Sequence, residues 1–449
     1  LPPSSKLDSG GSPAVLFDNL PSDVILSQAS RLEKQLMNKL TEKPTTATWR
    51  DWFGLHRNVA AISLAMFFFR LGECLWEDFR SAYLRALGAR DVHVGWFGTT
   101  KDTLDGLYQY PGGWLTDHLG RRAALTLFGV IALVGYAIYA LAPRWEIMFV
   151  GLFFVMAWAS LANPAIFATI GDALPKERRA IAFTVQSILR RVPSIIAPPI
   201  GGAIIDAFRQ SHGQKLGTVY GVKVGLAITL VIGVIVLIAQ YRAYAERKEE
   251  RTNSADTLKR IWRNMQPSLK ALLFSDIFIR AAESLTDVFL VLYASDVAHI
   301  SAAQYGSLIS VSKATSILVY IPVAKWSDQF GRKPFALMTF VFFALFPLTI
   351  ALSATWTGLL IAFIFQGLRE IGEPPRKAMI VDLADPAARG RTVGLYYLIR
   401  SIAIAPSAAI GGKLYDYKPH LPFYLAFAVG CIGVALFAVT VKEDASAHH

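Results

Sequence analysis

Several ionisable side chains of this 449-residue chain stand inside stretches that are otherwise apolar. Arg70, Glu73 and Glu77 fall at i, i+3 and i+7, which places them on one face of a helix, and Arg280, Glu283 and Asp287 repeat that face later in the chain. Arg369, Glu370, Glu373 and Arg376 crowd into the run FQGLREIGEPPRKAMIVD, while Asp102 and Asp105, with Lys101, add mixed charge and Arg190, Arg191 and Arg400 permanent positive charge. Carboxylates that can gain a proton suit coupling to a proton gradient, and the guanidinium fork suits planar anions. Of the acids, Glu373 is the first candidate for a protonatable coupling group. The other reading is that neighbours such as Arg70 and Glu73 neutralise each other as scaffold. For one residue both readings stand, but scaffolding alone could be made more simply from apolar packing.

The elements that carry these residues are membrane spans. The chain is 53% hydrophobic and only 17% charged, against about a quarter charged in a soluble domain. Its apolar runs recur near ~20 residues, enough to cross a bilayer as helices. An ionisable group at bilayer depth is costly, so each one needs a partner, a watery cavity or a function. The net charge of +12 lies mainly in short connections between runs, which reads as a topology signal and implies no nucleic-acid partner. Cys74 and Cys431 both fall in apolar runs and form no disulfide or metal-ligand pattern, so no metal and no cofactor are expected.

Spans are expected at 58–84, 93–116, 122–142, 146–171, 179–207 and 217–243, then at 268–295, 302–327, 333–354, 356–382, 391–413 and 420–441. The resulting organisation is an extension over 1–56 with an amphipathic helix, a six-helix bundle over 57–245, a charged linker over 246–267, a second bundle over 268–442, and a tail or tag remnant over 443–449. The first twenty or so residues lack the charged start and apolar core of a signal peptide. Lys and Arg concentrate in alternate loops and in the linker, which puts both termini in the cytoplasm.

Sliding the sequence against itself by about 210 residues pairs Arg70 with Arg280, Glu73 with Glu283, Glu77 with Asp287, Asp117 with Asp328, Gly120 with Gly331, Asp172 with Asp382, Arg190 with Arg400, and Gly201-Gly202 with Gly411-Gly412. An ordered series of this kind marks an internal repeat. The shift spans six helices, an even number, so the copies share orientation and relate by a pseudo-two-fold axis along the membrane normal. In the tenth span Pro374 aligns with Pro164 and Glu373 with Asn163, so a helix break is expected in both copies and charge in only one.

The stretch from Gly113 through Asp117, Gly120, Arg121 and Arg122, between the second and third spans, resembles the G-x-L-a-D-r-x-G-r-r signature of the major facilitator superfamily, with His118 where a basic residue is usual. Its echo keeps Asp328, Gly331, Arg332 and Lys333 and has Ala324 for the leading glycine. Ala197-Pro198-Pro199-Ile200-Gly201-Gly202 is similar to the family's antiporter motif, with Ala197 for its first glycine. The fourth span departs from the drug and proton antiporters, having FVMAWASLANPAIFATIGD where they carry Arg-x-x-Gln-Gly. The resemblance covers residues 57 to 442 and implies an all-α, twelve-helix membrane protein of two six-helix bundles that works by alternating access. Asp117, Arg121, Arg122 and Asp172 are then expected to form a conformational latch that holds the outward-open state, with plain positive-inside anchoring as the other reading.

The function so implied is secondary active transport of a small organic solute, proton-coupled and export-leaning, by a monomer in a plasma membrane or bacterial inner membrane. An organic-anion symporter or exchanger using Arg190, Arg280 and Arg400 is the second possibility. A membrane receptor or scaffold that kept the fold without transporting is the third. No HExxH, GxSxG or P-loop appears in the context that would make an enzyme of it.

Overall fold

The computed structural model describes residues 57–161, 176–243, 258–384 and 389–441, all within one compact unit, Phe53–His449. The amphipathic helix expected before residue 56, Asp172, and the tail lie outside the described residues, as do the side chains of Asp117, Arg121, Arg190 and Asp328. Among the described residues the chain is helical with no strand.

Five helices are long and apolar enough to cross a membrane by length and composition: Arg122–Leu141, Arg191–Arg242, Lys333–Ala351, Thr392–Tyr417 and Leu421–Thr440. The longest stretch is two helices, matching two expected spans, joined at Gly213, whose φ of 77° a glycine adopts without strain. Of the other spans, the first, fourth, seventh and tenth are broken, and the second carries Lys101, Asp102 and Asp105. Val231, Ile235, Leu318 and Val439 are each more than 60% exposed, a placement that suits hydrocarbon.

The repeat is written into the backbone. In the first span helix Arg57–Glu73 gives way to a 3-10 turn, Glu77–Phe79, before helix Arg80–Ala86 resumes; the seventh repeats this as Pro267–Thr286, Asp287–Phe289 and Leu290–Asp296. The residues that open the two turns match closely, Trp76 at φ −135°, ψ −24° and Thr286 at φ −120°, ψ −28°. Gly120 (φ 81°) and Gly331 (φ 86°) make the matching turns that follow the second and eighth spans.

The paired glycines explain how the repeats pack. Gly201 admits the backbone carbonyl of Leu75 from its own half, and Gly411 admits that of Leu285 from its own. The next residue in each pair faces the opposite half: Gly202 lies against the carbonyl of Ala302, and Gly412 against Asp91, Val92 and Gly95. Small residues let backbones approach this closely. Pro199 removes the helical N–H that Ile195 would otherwise accept, and the Ser310 hydroxyl of the other half donates to that carbonyl instead.

The described polar contacts between halves gather at one end and at mid-membrane. At that end Arg85 donates to Asp296 at 2.7 and 2.8 Å, Arg90 to Asp416 at 2.8 Å, and the backbone N–H groups of Ala302 and Ala303 to Asp206 at 3.0 and 2.8 Å. Deeper in, Ser284 donates to Asp102 at 2.7 Å and Arg191 to Glu370 at 2.9 Å. This end of the molecule is closed.

The tenth span breaks over Arg369–Gly372, just before the prolines rather than at them, because Pro374 and Pro375 sit in the first turn of the new helix Glu373–Asp382. The fourth span loosens at the equivalent place into a π turn, Ala157–Leu161. The linker holds a short helix the sequence did not foretell, Leu258–Asn264, whose Ile261 is buried in the second half's core with Leu272 and Tyr396.

Candidate functional site

The first charged face looks into a cavity of about 240 Å³. Helix Arg57–Glu73 supplies Arg70 and Glu73, the 3-10 turn Glu77, and the second span Lys101 and Asp105. Arg70 is bonded to Glu77, donates to Glu73 at 3.4 Å and reaches Ser194 at 3.3 Å. The Tyr136 hydroxyl donates to Glu73 at 2.5 Å, and the Ser160 hydroxyl in the π turn donates to Asp105 at 2.5 Å. Trp158, stacked on Phe69 with ring centroids 4.6 Å apart, forms part of the apolar wall with Met156 and Val155.

The second face carries a network of ion pairs. Asp276, fully buried, accepts from Arg376 at 2.7 Å, Arg400 at 3.2 Å and the Tyr396 hydroxyl at 3.0 Å. Glu373 accepts from Arg376 at 3.1 and 2.9 Å and is bonded to Arg280, with Lys377 at 3.9 Å. Arg280 also donates to Glu283 at 2.8 Å, and Arg369 lies 3.4 Å from the same carboxylate. The rings of Phe343 and Phe346 cap the network, with the Arg369 guanidinium 4.5 and 4.8 Å from their centroids. Four guanidinium groups and three carboxylates thus interlock among aromatic rings, an arrangement that gives each buried charge an opposite partner.

The structure therefore divides the residues picked out in the sequence. Arg70, Glu73, Glu77 and Asp105 line the cavity; Arg280, Glu283, Arg369, Glu373, Arg376 and Arg400 form the network. Asp287 sits at the second 3-10 turn, within electrostatic reach of Lys101 and Asp102, and Glu370 turns away from the network to Arg191 of the first half. Of the latch residues, Gly120 and Gly331 make their turns, Arg122 stacks on Tyr241 at 4.1 Å, and Arg332 is bonded to Asp382 within the second half. Gly113 and Asp117 lie in helix Asp91–Leu119 and Arg121 opens the next.

Sequence reasoning passed over Asp276, Tyr136, Tyr396 and Arg80. Asp276 was within reach of the rule that flags intramembrane charge, since it stands four residues before Arg280. The repeat pairs it with Met66, so it belongs to no charged pair.

The chain matches the family model of the Major Facilitator Superfamily over residues 59–281 and 272–449. It is 24% identical over 364 residues to the multidrug resistance protein MdtH of Proteus mirabilis, covering 78% of this chain and 86% of that protein. Its fold superposes on the nucleoside transporter NupG with a TM-score of 0.68 at 13% identity, over 85% of this chain and 100% of that one. A peptide transporter, POT, in complex with sulfate gives 0.64 at 16%, over 86% and 94%. The chain belongs to the major facilitator superfamily: it is a multi-pass membrane protein and a secondary transporter built from two six-helix bundles.

Proposed function

We propose that this transporter moves a small organic solute chiefly outward, coupled to protons, as a monomer in a plasma membrane or bacterial inner membrane. The solute crosses unchanged, and the reading involves no nucleic acid and no cofactor. Export is supported by the multidrug-resistance names of relatives such as the MdtH of Proteus mirabilis and that of Cronobacter sakazakii, the latter 25% identical over 338 residues.

Orientation follows from the cations. The turns that carry Arg121-Arg122 and Arg332-Lys333 lie opposite the closed end, and Lys- and Arg-rich turns stay in the cytoplasm. Both termini are then cytoplasmic, the closed end faces outward, and the molecule stands in an inward-facing state.

The observation that carries proton coupling is the place of Glu73. It lies on the cavity wall with the Tyr136 hydroxyl and the Arg70 guanidinium as its partners, whereas Glu373 is walled into the network with 5% exposure. Protonation of Glu73 removes the charge that Arg70 shares between Glu73 and Glu77, which loosens the first span against Ser194 of the fifth and lets the halves rock. In proteoliposomes with an imposed pH gradient, Glu73→Gln is expected to abolish gradient-driven movement of a solute found by thermal-shift screening at two pH values, while exchange persists. Undiminished gradient-driven movement by that variant sinks the assignment.

A further inference from the structure

Six charged side chains line the first half's cavity, and their partners sort them by sign. The acids are occupied. Glu73 holds the Tyr136 hydroxyl and Arg70, Glu77 is bonded to Arg70, and Asp105 holds the Ser160 hydroxyl. Asp102, beside the cavity, takes the Ser284 hydroxyl of the other half at 2.7 Å.

The cations are not so evenly served. Arg70 is committed to Glu73, Glu77 and Ser194. Arg80 has its nearest carboxylate, Glu77, at 3.7 Å, and Lys101 has Asp102 at 3.5 Å. A charge-assisted bond runs at about 2.7–2.9 Å, so both cations keep most of their donor capacity, five N–H on the guanidinium and three on the ammonium. Lys101 also lies within electrostatic reach of Arg80, as it does of Asp102, Asp287 and Asp105. An anion set between the two cations fills the open donors.

We propose that Arg80 and Lys101 receive the anionic end of the transported solute, a small organic carboxylate whose apolar body lies against Trp158, Met156 and Val155. The cavity's 240 Å³ falls below the ~300–1,000 Å³ of drug-sized sites, so the part held here is a single ring or a short chain. Leu290 and Ser312 stand at the equivalent positions of the second half, so the pair is a property of the first half alone. The assignment rests on the reading of this cavity as the solute site of a transporter.

Three probes of one shape and different charge test it: benzoate, benzylamine and benzyl alcohol, titrated calorimetrically into the purified full chain in nanodiscs. Benzoate is expected to bind about tenfold or more tightly than either of the others, the scale of a hydrogen bond to a charged group. Arg80→Gln and Lys101→Gln are each expected to weaken benzoate by about the same factor and leave benzyl alcohol unchanged, while Arg80→Lys keeps part of the affinity. Monodisperse elution of each variant verifies folding, and should Arg80→Gln not fold, Lys101→Gln and the probe series carry the test. Benzylamine binding as well as benzoate, benzoate binding untouched by Lys101→Gln, or no binding of any probe overturns the proposal. Those outcomes leave the transport reading standing, because flux and the Glu73→Gln result are measured separately. Benzoate binding that depends on Arg80 and Lys101 without flux sinks transport and keeps the anion site.

Discussion

Arg70–Glu73–Glu77 and Arg280–Glu283–Asp287 sit on equivalent helices with equivalent 3-10 breaks, yet Arg70, Glu73 and Glu77 line a cavity while Arg280 and Glu283 join a network of ion pairs and Asp287 stays exposed. The difference comes from their neighbours. Where the second half has Asp276, Arg369, Glu373 and Arg376, the first has Met66, Ala159, Asn163 and Ile166. Conversely Tyr136 and Trp158, which line the cavity, stand where the second half has Pro347 and Leu368. Charges added in one copy pair with one another across its helices; the copy without them lines a cavity. A repeat can thus hold one bundle rigid as a frame while the other adapts.

The largest effect that probes this contrast is on folding. Arg376 is 1% exposed and holds both Asp276 and Glu373, so Arg376→Met takes a donor from each of two buried carboxylates and leaves Asp276 to Arg400 and Tyr396 and Glu373 to Arg280. Removing one partner of a buried pair costs about 3–5 kcal/mol, and thermal unfolding in detergent should show a large fall in midpoint. Arg70→Met, at 28% side-chain exposure in a cavity, is expected to lower the midpoint far less. Equal falls would break the distinction between frame and cavity.

Next in size is the functional split between the acids. Glu73→Gln is expected to uncouple transport with little loss of stability, and Glu373→Gln to lower stability with coupling retained in the protein that folds. Proteoliposome flux under a pH gradient, read beside unfolding midpoints for the same preparations, separates the two. Loss of coupling in the Glu373 variant, with its midpoint intact, would move the proton site into the second half.

How much of this the sequence carried depends on what each residue's signal was. The spans were readable because a bilayer demands long apolar runs, and the repeat because Asp117 and Asp328, or Gly201-Gly202 and Gly411-Gly412, recur in order. The shared faces were readable from helical periodicity. What lay hidden was how each face is used, since Arg70–Glu73 and Arg280–Glu283 look alike as strings. The answer rests on contacts far apart in sequence, such as Glu73 with Tyr136 across 63 residues and Asp276 with Arg400 across 124. The break in the tenth span was foreseen from its prolines but came a turn early, because proline starts a helix as readily as it ends one.

The paired glycines sharpen the comparison at a smaller scale. Gly201→Ala places a methyl against the Leu75 carbonyl inside the first half, so it is expected to cost about 1–3 kcal/mol of stability through overpacking. Gly202→Ala places one against the Ala302 carbonyl of the other half, a contact made only while this end is closed. It should therefore leave the bundle intact and shift the population toward opening at that end. Spin labels across the closed end, at Ala86 and Val297, would read the shift as a longer distance. An unchanged distance distribution in Gly202→Ala would mean that the approach of the halves tolerates the methyl and that the second glycine of each pair has no part in closure.

The smallest effect separates two ion pairs that close the same end. Arg85 is bonded to both Asp91 of its own half and Asp296 of the other, and the Tyr415 hydroxyl adds a third contact to Asp296 at 3.1 Å. Arg90 reaches only Asp416 and is 70% exposed. An exposed pair is worth at most about 1 kcal/mol and fades with salt. Arg90→Ala is thus expected to leave the spin-label distance nearly unchanged at physiological salt, and Arg85→Ala to lengthen it measurably, because its loss dissolves a network that ties four spans together. Reversal of that order would place the principal outer contact on the second and eleventh spans rather than on the first and seventh, and would make the two halves more alike at their closed end than at their charged faces.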